Sequence, residues 1–266
     1  MSEICKNCTG EIALNFCPNC GQKKTKRIDR AYIKDEIQYT VLHMNKGFLY
    51  SIKKTLKAPG KTAREFVEGN RVNHYKPILL VFVVSGISAF LANTLVHPGE
   101  VMQQYYQMHP TKYPFDINAL NTFIYKYQAI LMLVSIPFMA FFTWLAFRKW
   151  GYNYYENIVI TAYSMVCLQV ISILTVVPLQ LLLKNNPDLF MIIPTILTML
   201  LTFIVIPWFY IDLYNNKSAG EVIMRLFLLA VLLFVVYILL IIIGVIVFLV
   251  YCNATGVNPR TLLLTP

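Results

Sequence analysis

Charge is what this chain has least of. Only 14% of its 266 residues are Asp, Glu, Lys or Arg, against roughly a quarter in an average soluble domain. A further 57% are hydrophobic. That balance excludes a soluble globular enzyme, a disordered tail and a disulfide scaffold. Ionisable residues are missing from the centres of five long apolar runs. Proton relays, ion sites and charged-substrate paths need such residues at depth, so a coupled transporter is not expected. Catalytic signatures are absent as well. There is no HExxH or GxSxG, and His43, His74, His97 and His109 are scattered. Gly60-Lys61-Thr62 suggests a phosphate loop, but the glycine required five residues earlier is Thr55. Nothing near Met1 has the charged-then-apolar form of a signal peptide, and the first apolar run begins only after residue 77.

What is present is apolar sequence in lengths that fit a bilayer. Crossing about 30 Å of hydrocarbon takes roughly 20 mostly apolar helical residues. Five stretches qualify: Ile78 to Val96, Tyr127 to Phe147, Ile158 to Leu183, Leu189 to Ile211 and Val222 to Tyr251. The fold expected is therefore an all-α polytopic membrane protein, a bundle of five transmembrane helices over residues 78–251. Short connections at 148–157, 184–188 and 212–221 favour packing of spans two to five as antiparallel neighbours. Residues 97–126 read as the long loop on the far side, and 252–266 as a short external tail. The Ser, Thr and Gln residues within the runs, Ser85, Ser164 and Gln169 among them, are expected to bond neighbouring helices.

The chain's net charge of +10 is unevenly placed, with 15 of the 23 Lys and Arg in residues 1–77. With this head inside, Arg148, Lys149, Lys217 and Arg225 join it, giving 19 basic residues on the cytoplasmic side. Lys112, Lys126, Lys184 and Arg260 are the 4 on the other. The positive-inside rule then predicts an integral inner-membrane protein with a cytoplasmic amino terminus. Five spans leave the carboxyl terminus on the opposite side.

The sharpest motif lies in that head. Cys5-Lys-Asn-Cys8 and Cys17-Pro-Asn-Cys20-Gly21 are two CxxC pairs eight residues apart. Four thiolates make a closed tetrahedral site whose usual occupant is Zn²⁺. The alternatives are two disulfides, which need an oxidising compartment, and a redox CxxC, which needs a thioredoxin-like fold. A cytoplasmic location and a 27-residue unit argue for zinc. The predicted ligands are Cys5, Cys8, Cys17 and Cys20, in a structural role because no position is left for water or substrate. Cys167 and Cys252 read as small buried hydrophobes.

Between ribbon and bilayer, residues 28–77 carry helical periodicity. Ile33, Ile37, Val41 and Met44 share one face. Phe48, Leu49, Ile52 and Leu56 share another, backed by Lys53, Lys54 and Lys57. Pro59-Gly60 breaks the pattern, and Ala63, Phe66 and Val67 suggest a third helix that Gly69-Asn70 would end. Basic amphipathic helices beside a first span fit either the lipid interface or a seat on the internal loops. Nucleic acid is not the expected partner, because the aromatic residues here lie where rings anchor at a membrane surface.

The order of these parts resembles a known family. Phe16-Cys17-Pro18-Asn19-Cys20-Gly21 is followed by Lys46-Gly47-Phe48-Leu49-Tyr50. Then come Pro59-Gly60-Lys61-Thr62-Ala63-Arg64-Glu65-Phe66-Val67-Glu68-Gly69-Asn70-Arg71 and Tyr75-Lys76-Pro77. Residues 5–90 are similar to bacterial membrane proteins, common in Bacteroidota, catalogued as domain of unknown function 3667. The resemblance implies an inner-membrane protein with a cytoplasmic ribbon and no established activity. A more distant likeness is to Yip1-type five-span proteins, through Ala162-Tyr163-Ser164 and Asp212-Leu213-Tyr214.

The function expected is a non-enzymatic adaptor or scaffold, its bundle held in the lipid bilayer while the ribbon meets a protein partner. A channel or transporter for a neutral or lipid-like substrate is the alternative. A membrane enzyme is a further one, for which Glu156, Asp212 and Glu221 are the clustered interfacial acids.

Overall fold

The computed structural model describes residues 3–5, 9–12, 14–21, 47–70, 74–110 and 117–255. Cys8, the expected helix over Ile33–Met44 and the tail beyond residue 255 lie outside the described residues. The chain divides into two compact units, Met1–Asn45 and Lys46–Pro266.

In the first unit, β1 (Glu3–Ile4) and β2 (Glu11–Ile12) pair antiparallel, with Glu3 opposite Ile12 and Ile4 opposite Glu11. A two-stranded sheet this short is not stable alone. Among the described residues, its buried apolar cluster is Cys5, Ile12 and Cys17.

The second unit is helical. It opens with α1 (Gly47–Lys57) and α2 (Pro59–Val67), followed by α3 (Pro77–Leu91). A π-helical turn, Ala92–Val96, ends at His97, which takes a left-handed conformation (φ 54°). Next come α4 (Pro98–Met108), α5 (Ile117–Phe147) with a 3₁₀ turn at Arg148–Trp150, and α6 (Tyr154–Leu183). α7 (Pro187–Leu213) and α8 (Ala219–Thr255) complete the unit.

Five helical stretches are long and apolar enough to cross a membrane. They are Pro77–Val96, Lys126–Trp150, Tyr154–Leu183, Pro187–Leu213 and Ala219–Val250, in agreement with the five expected runs. Spans two to five pack on one another as expected, and the first span joins them. The first span, α3, packs extensively on both α5 and α6 and is central. The last, α8, touches α5 and α7 and lies at the margin. The reason is in the side chains: Leu80, Val81, Val84 and Ser85 of α3 are all buried, whereas the most apolar window of α8 has no buried residue.

Part of the segment expected as a long loop is helical, over Pro98–Met108. Pro98 occupies the first turn of α4, where its missing N–H would have no helical partner anyway. Val101 of α4 packs with Val96 and Phe190. His109 and Asp188 approach to 2.9 Å, joining the end of α4 to the start of α7.

Most intramembrane hydroxyls turn back on their own helices. Ser135, Thr143, Ser164, Thr175, Thr195, Thr198 and Thr202 each donate to a carbonyl three or four residues earlier. This satisfies the hydroxyl within its own helix. One bond that crosses between helices runs from Ser85 Oγ to Gln169 Oε1 at 2.9 Å, between α3 and α6, and both residues are buried.

Candidate functional site

The cysteines converge through local backbone geometry. The N–H of Cys5 donates to the Gly10 carbonyl at 2.8 Å, and that of Thr9 to the Cys5 carbonyl at 3.0 Å, closing a tight turn after β1. The second pair is turned by the Gly21 N–H donating to the Cys17 carbonyl at 2.9 Å, with Gly21 at φ +71°, a region open to glycine. The sulfurs of Cys5, Cys17 and Cys20 consequently lie within 4.8 Å of one another. Three sulfurs at that spacing can hold one metal ion. The fourth expected ligand, Cys8, lies outside the described residues.

Around this group the small unit exposes apolar side chains. Ile4 is 69% exposed, Leu14 80% and Phe16 58%.

The second unit has its own concentration of chemistry at one end. α2 does not float beside the bundle; its first turn sits on the last turn of α7. Gly60 makes this possible. A Cβ at that position would fall on the backbone nitrogen of Leu213 and the carbonyl oxygen of Phe209. The two helix ends then cap one another. Lys61 donates its backbone N–H to Asp212 Oδ2 at 2.9 Å, and Arg64 Nη1 donates to the carbonyls of Asp212 (3.0 Å) and Leu213 (2.6 Å). The first amide groups of any helix and the last carbonyls need partners from outside it, and here each helix supplies the other's.

Just before α3, His74 and Tyr75 meet α1 and α6. The Tyr75 N–H donates to Ser51 Oγ at 2.8 Å, and the ring of Tyr75 meets Phe48 edge-on at 5.6 Å. His74 is 8% exposed and is surrounded by Tyr50 (5.2 Å), Phe66 (6.1 Å) and Tyr163 (6.4 Å), all edge to face. Both its ring nitrogens, the Tyr163 hydroxyl, Thr55 Oγ1 and Thr161 Oγ1 are buried without a hydrogen-bond partner among the described residues. Burial lowers the His74 pKa, nearby Glu65 raises it and Lys54 lowers it further.

The other helix ends at this level are tied by aromatic rings. Phe147 stacks on Tyr210 and on Tyr214, each at 5.1 Å, while Trp150 meets Tyr214 at 4.8 Å. Burial raises the pKa of both Tyr214 and Tyr152. Arg225 of α8 donates Nη1 to the Ala146 carbonyl at 3.2 Å. α2 and the helix ends bearing Arg148, Lys149, Lys217 and Arg225 therefore share one end of the bundle.

The three interfacial acids are each occupied in capping. Glu156 Oε2 accepts the Asn153 N–H at 2.7 Å while Asn153 Oδ1 accepts that of Glu156 at 2.9 Å, a reciprocal capping box at the start of α6. Asp212 caps α2. Glu221 Oε1 accepts from Ser218 Oγ at 3.0 Å, whose oxygen in turn accepts the Glu221 N–H at 3.3 Å.

Sequence reasoning passed over His74 and Gly60. The aromatic partners of His74 come from residues 50, 66 and 163, and the partners of Gly60 lie about 150 positions away. A glycine directly after a proline at a helix start was the available clue to a close approach.

Residues 45–89 match the model of a family described as Protein of unknown function (DUF3667). The match covers α1, α2 and most of α3, so the resemblance read from Lys46–Tyr50 and Pro59–Arg71 holds over the segment that forms this seat. No curated protein and no solved structure matches the chain.

Proposed function

We propose that this chain is a non-enzymatic adaptor of the inner membrane, in which a zinc-loaded ribbon at the cytoplasmic end offers an apolar face to a protein partner. The observation that carries this reading is the exposure of Ile4, Leu14 and Phe16 around a cysteine-filled interior. Apolar side chains rimming a small rigid unit are a common basis for recognition by another protein.

The donor chemistry supports zinc as the metal. Zn–S bonds of about 2.3 Å in a tetrahedron put neighbouring sulfurs about 3.8 Å apart. The Cys5 and Cys20 sulfurs stand 3.6 Å apart, well beyond the ~2.05 Å of a disulfide. A fourth thiolate from Cys8 would close the shell, and the metal would supply folding energy that so small an interior lacks. The 19 basic residues on the ribbon's side favour the cytoplasm as its compartment.

The test is affinity capture of the full chain from gently solubilised membranes, comparing wild type with Leu14→Ser, Phe16→Ser and Cys17→Ser. A partner recovered with wild type should fall about tenfold or more with all three, as expected when residues central to an interface are removed. Metal analysis should find zinc retained in the Leu14 and Phe16 variants and lost in the Cys17 variant. Recovery of the same proteins in the same amounts from all four overturns the adaptor reading.

A further inference from the structure

Where α8 enters the bundle it leaves a groove open against the end of α5. It is lined by Trp150, Glu221, Met224, Arg225, Phe227 and Val231 among others, with a volume of about 700 Å³. From Glu221 to Val231 the helix rises about 15 Å, half the ~30 Å hydrocarbon thickness, so the groove is one leaflet deep. Its long wall is apolar and its mouth is cationic. Lys217 Nζ lies 5.7 Å from the centre of the Trp150 ring, and Arg225 Cζ lies 5.6 Å from it. Arg148 and Lys149, both exposed, precede Trp150 in the same turn. Two cations, Lys217 and Arg225, thus stand over Trp150 at the mouth, beside the carboxylate Glu221, which accepts from Ser218.

We propose that this groove binds one anionic phospholipid. Met224, Phe227 and Val231 take an acyl chain, and Lys217 with Arg225 takes the phosphate. The assignment is independent of the adaptor reading, since it uses no residue of the ribbon. An apolar wall one leaflet deep fits a lipid tail better than a polar solute. A mouth with Lys217 and Arg225 side by side selects an anionic headgroup over a zwitterionic one. The indole of Trp150, half-buried between these two zones, sits where amphipathic rings settle at the edge of a bilayer. The bond from Arg225 to the Ala146 carbonyl fixes the guanidinium at the mouth and leaves its other donors for an oxygen anion.

The experiment uses the full chain with Trp144→Phe and Trp208→Phe, so that Trp150 is the sole tryptophan. The protein is reconstituted into phosphatidylcholine vesicles carrying a small fraction of brominated phosphatidylglycerol or of brominated phosphatidylcholine. Trp150 fluorescence should be quenched preferentially by the anionic lipid. Lys217→Gln and Arg225→Gln should each weaken that preference about fivefold, the effect of removing one cation near a membrane surface. Lys217→Gln leaves the Arg225–Ala146 bond in place, so it remains informative if the Arg225 variant does not fold. Equal quenching by both lipids overturns the proposal. Absence of quenching by either means that protein covers the groove, and overturns it as well. Relief of quenching by soluble glycerophosphate alone would mark a site for free phosphate and not for lipid, which also counts against it.

Discussion

Lys61 and Asp212 are 151 residues apart in sequence, yet the backbone N–H of the first is held at 2.9 Å by the carboxylate of the second. Through this bond the segment that precedes the first span is fastened to the end of the fourth. The helix that carries Lys61 is therefore part of the bundle and not an arm beside it.

The closeness of that contact makes Gly60 the least replaceable residue of the seat. Gly60→Val would drive a side chain into the backbone of Phe209 and Leu213, and α2 must lift away. The expected cost is about 3 kcal/mol or more, the upper range for overpacking. Hydrogen exchange should show residues 59–67 losing protection while α3, α5 and α6 keep theirs. Arg64→Gln, which removes a charged donor from the two last carbonyls of α7, should cost about 1.5–3 kcal/mol in the same measurement.

Inside the bilayer the bond between Ser85 and Gln169 invites a double-mutant cycle. Ser85→Ala leaves a buried amide oxygen without its donor, at an expected cost of about 1 kcal/mol. Once Gln169→Leu is in place, Ser85→Ala should cost markedly less. Reversible unfolding in mixed micelles measures the coupling, and a coupling of zero would mean that Gln169 finds another donor.

His74 should give the protein an acid-sensitive stability. Burial lowers its pKa in the folded chain, with Glu65 opposing and Lys54 reinforcing the shift, while the rings of Tyr50, Phe66 and Tyr163 surround it. The unfolded chain, titrating near ~6.5, therefore binds the proton more readily. The stability that neutral His74 confers is complete above ~6.5, declines as pH falls below it and levels off beneath the folded value. Thermal unfolding of the solubilised protein across this range should show the decline, and His74→Phe should flatten it. An unchanged slope in that variant would assign the effect to another group.

The sulfur cluster leads to a metal prediction. Purified protein should contain one zinc per chain, and Co²⁺ exchanged into the site should give the absorption of a tetrathiolate complex. Cys5→Ser, Cys8→Ser, Cys17→Ser and Cys20→Ser should each abolish that signal, as the four-thiolate shell requires. A strong chelator should unfold the ribbon while the helical circular dichroism of the bundle persists.

The five spans were legible because a bilayer reads sequence almost locally. Twenty apolar residues in a row are enough, and the runs at Ile78, Tyr127, Ile158, Leu189 and Val222 all fall within the helices found. The convergence of cysteines was legible for a similar reason, since two CxxC turns need only local geometry. Arrangement was harder. Pro59 reads as a break but starts α2, and Pro98, within the segment read as a loop, starts α4, because the first turn of a helix is where proline's missing donor goes unnoticed. Central and marginal spans could not be told apart by hydropathy, which scores α8 highest and yet says nothing about neighbours. The cage around His74 depends on rings from α1, α2 and α6, and no local pattern announces such a meeting.

The exposure of α8 has a consequence for how this chain can vary. No residue of its most apolar window is buried, so packing against the other helices constrains the side chains there only weakly. Leu, Ile, Val and Phe should exchange freely from about residue 232 to residue 250, so long as the stretch stays oily and long. The constraint on α8 tightens abruptly near its start, at Val222 and Arg225, where the helix meets its neighbours. One helix thus obeys two grammars, a strict one at its root and a permissive one along its shaft.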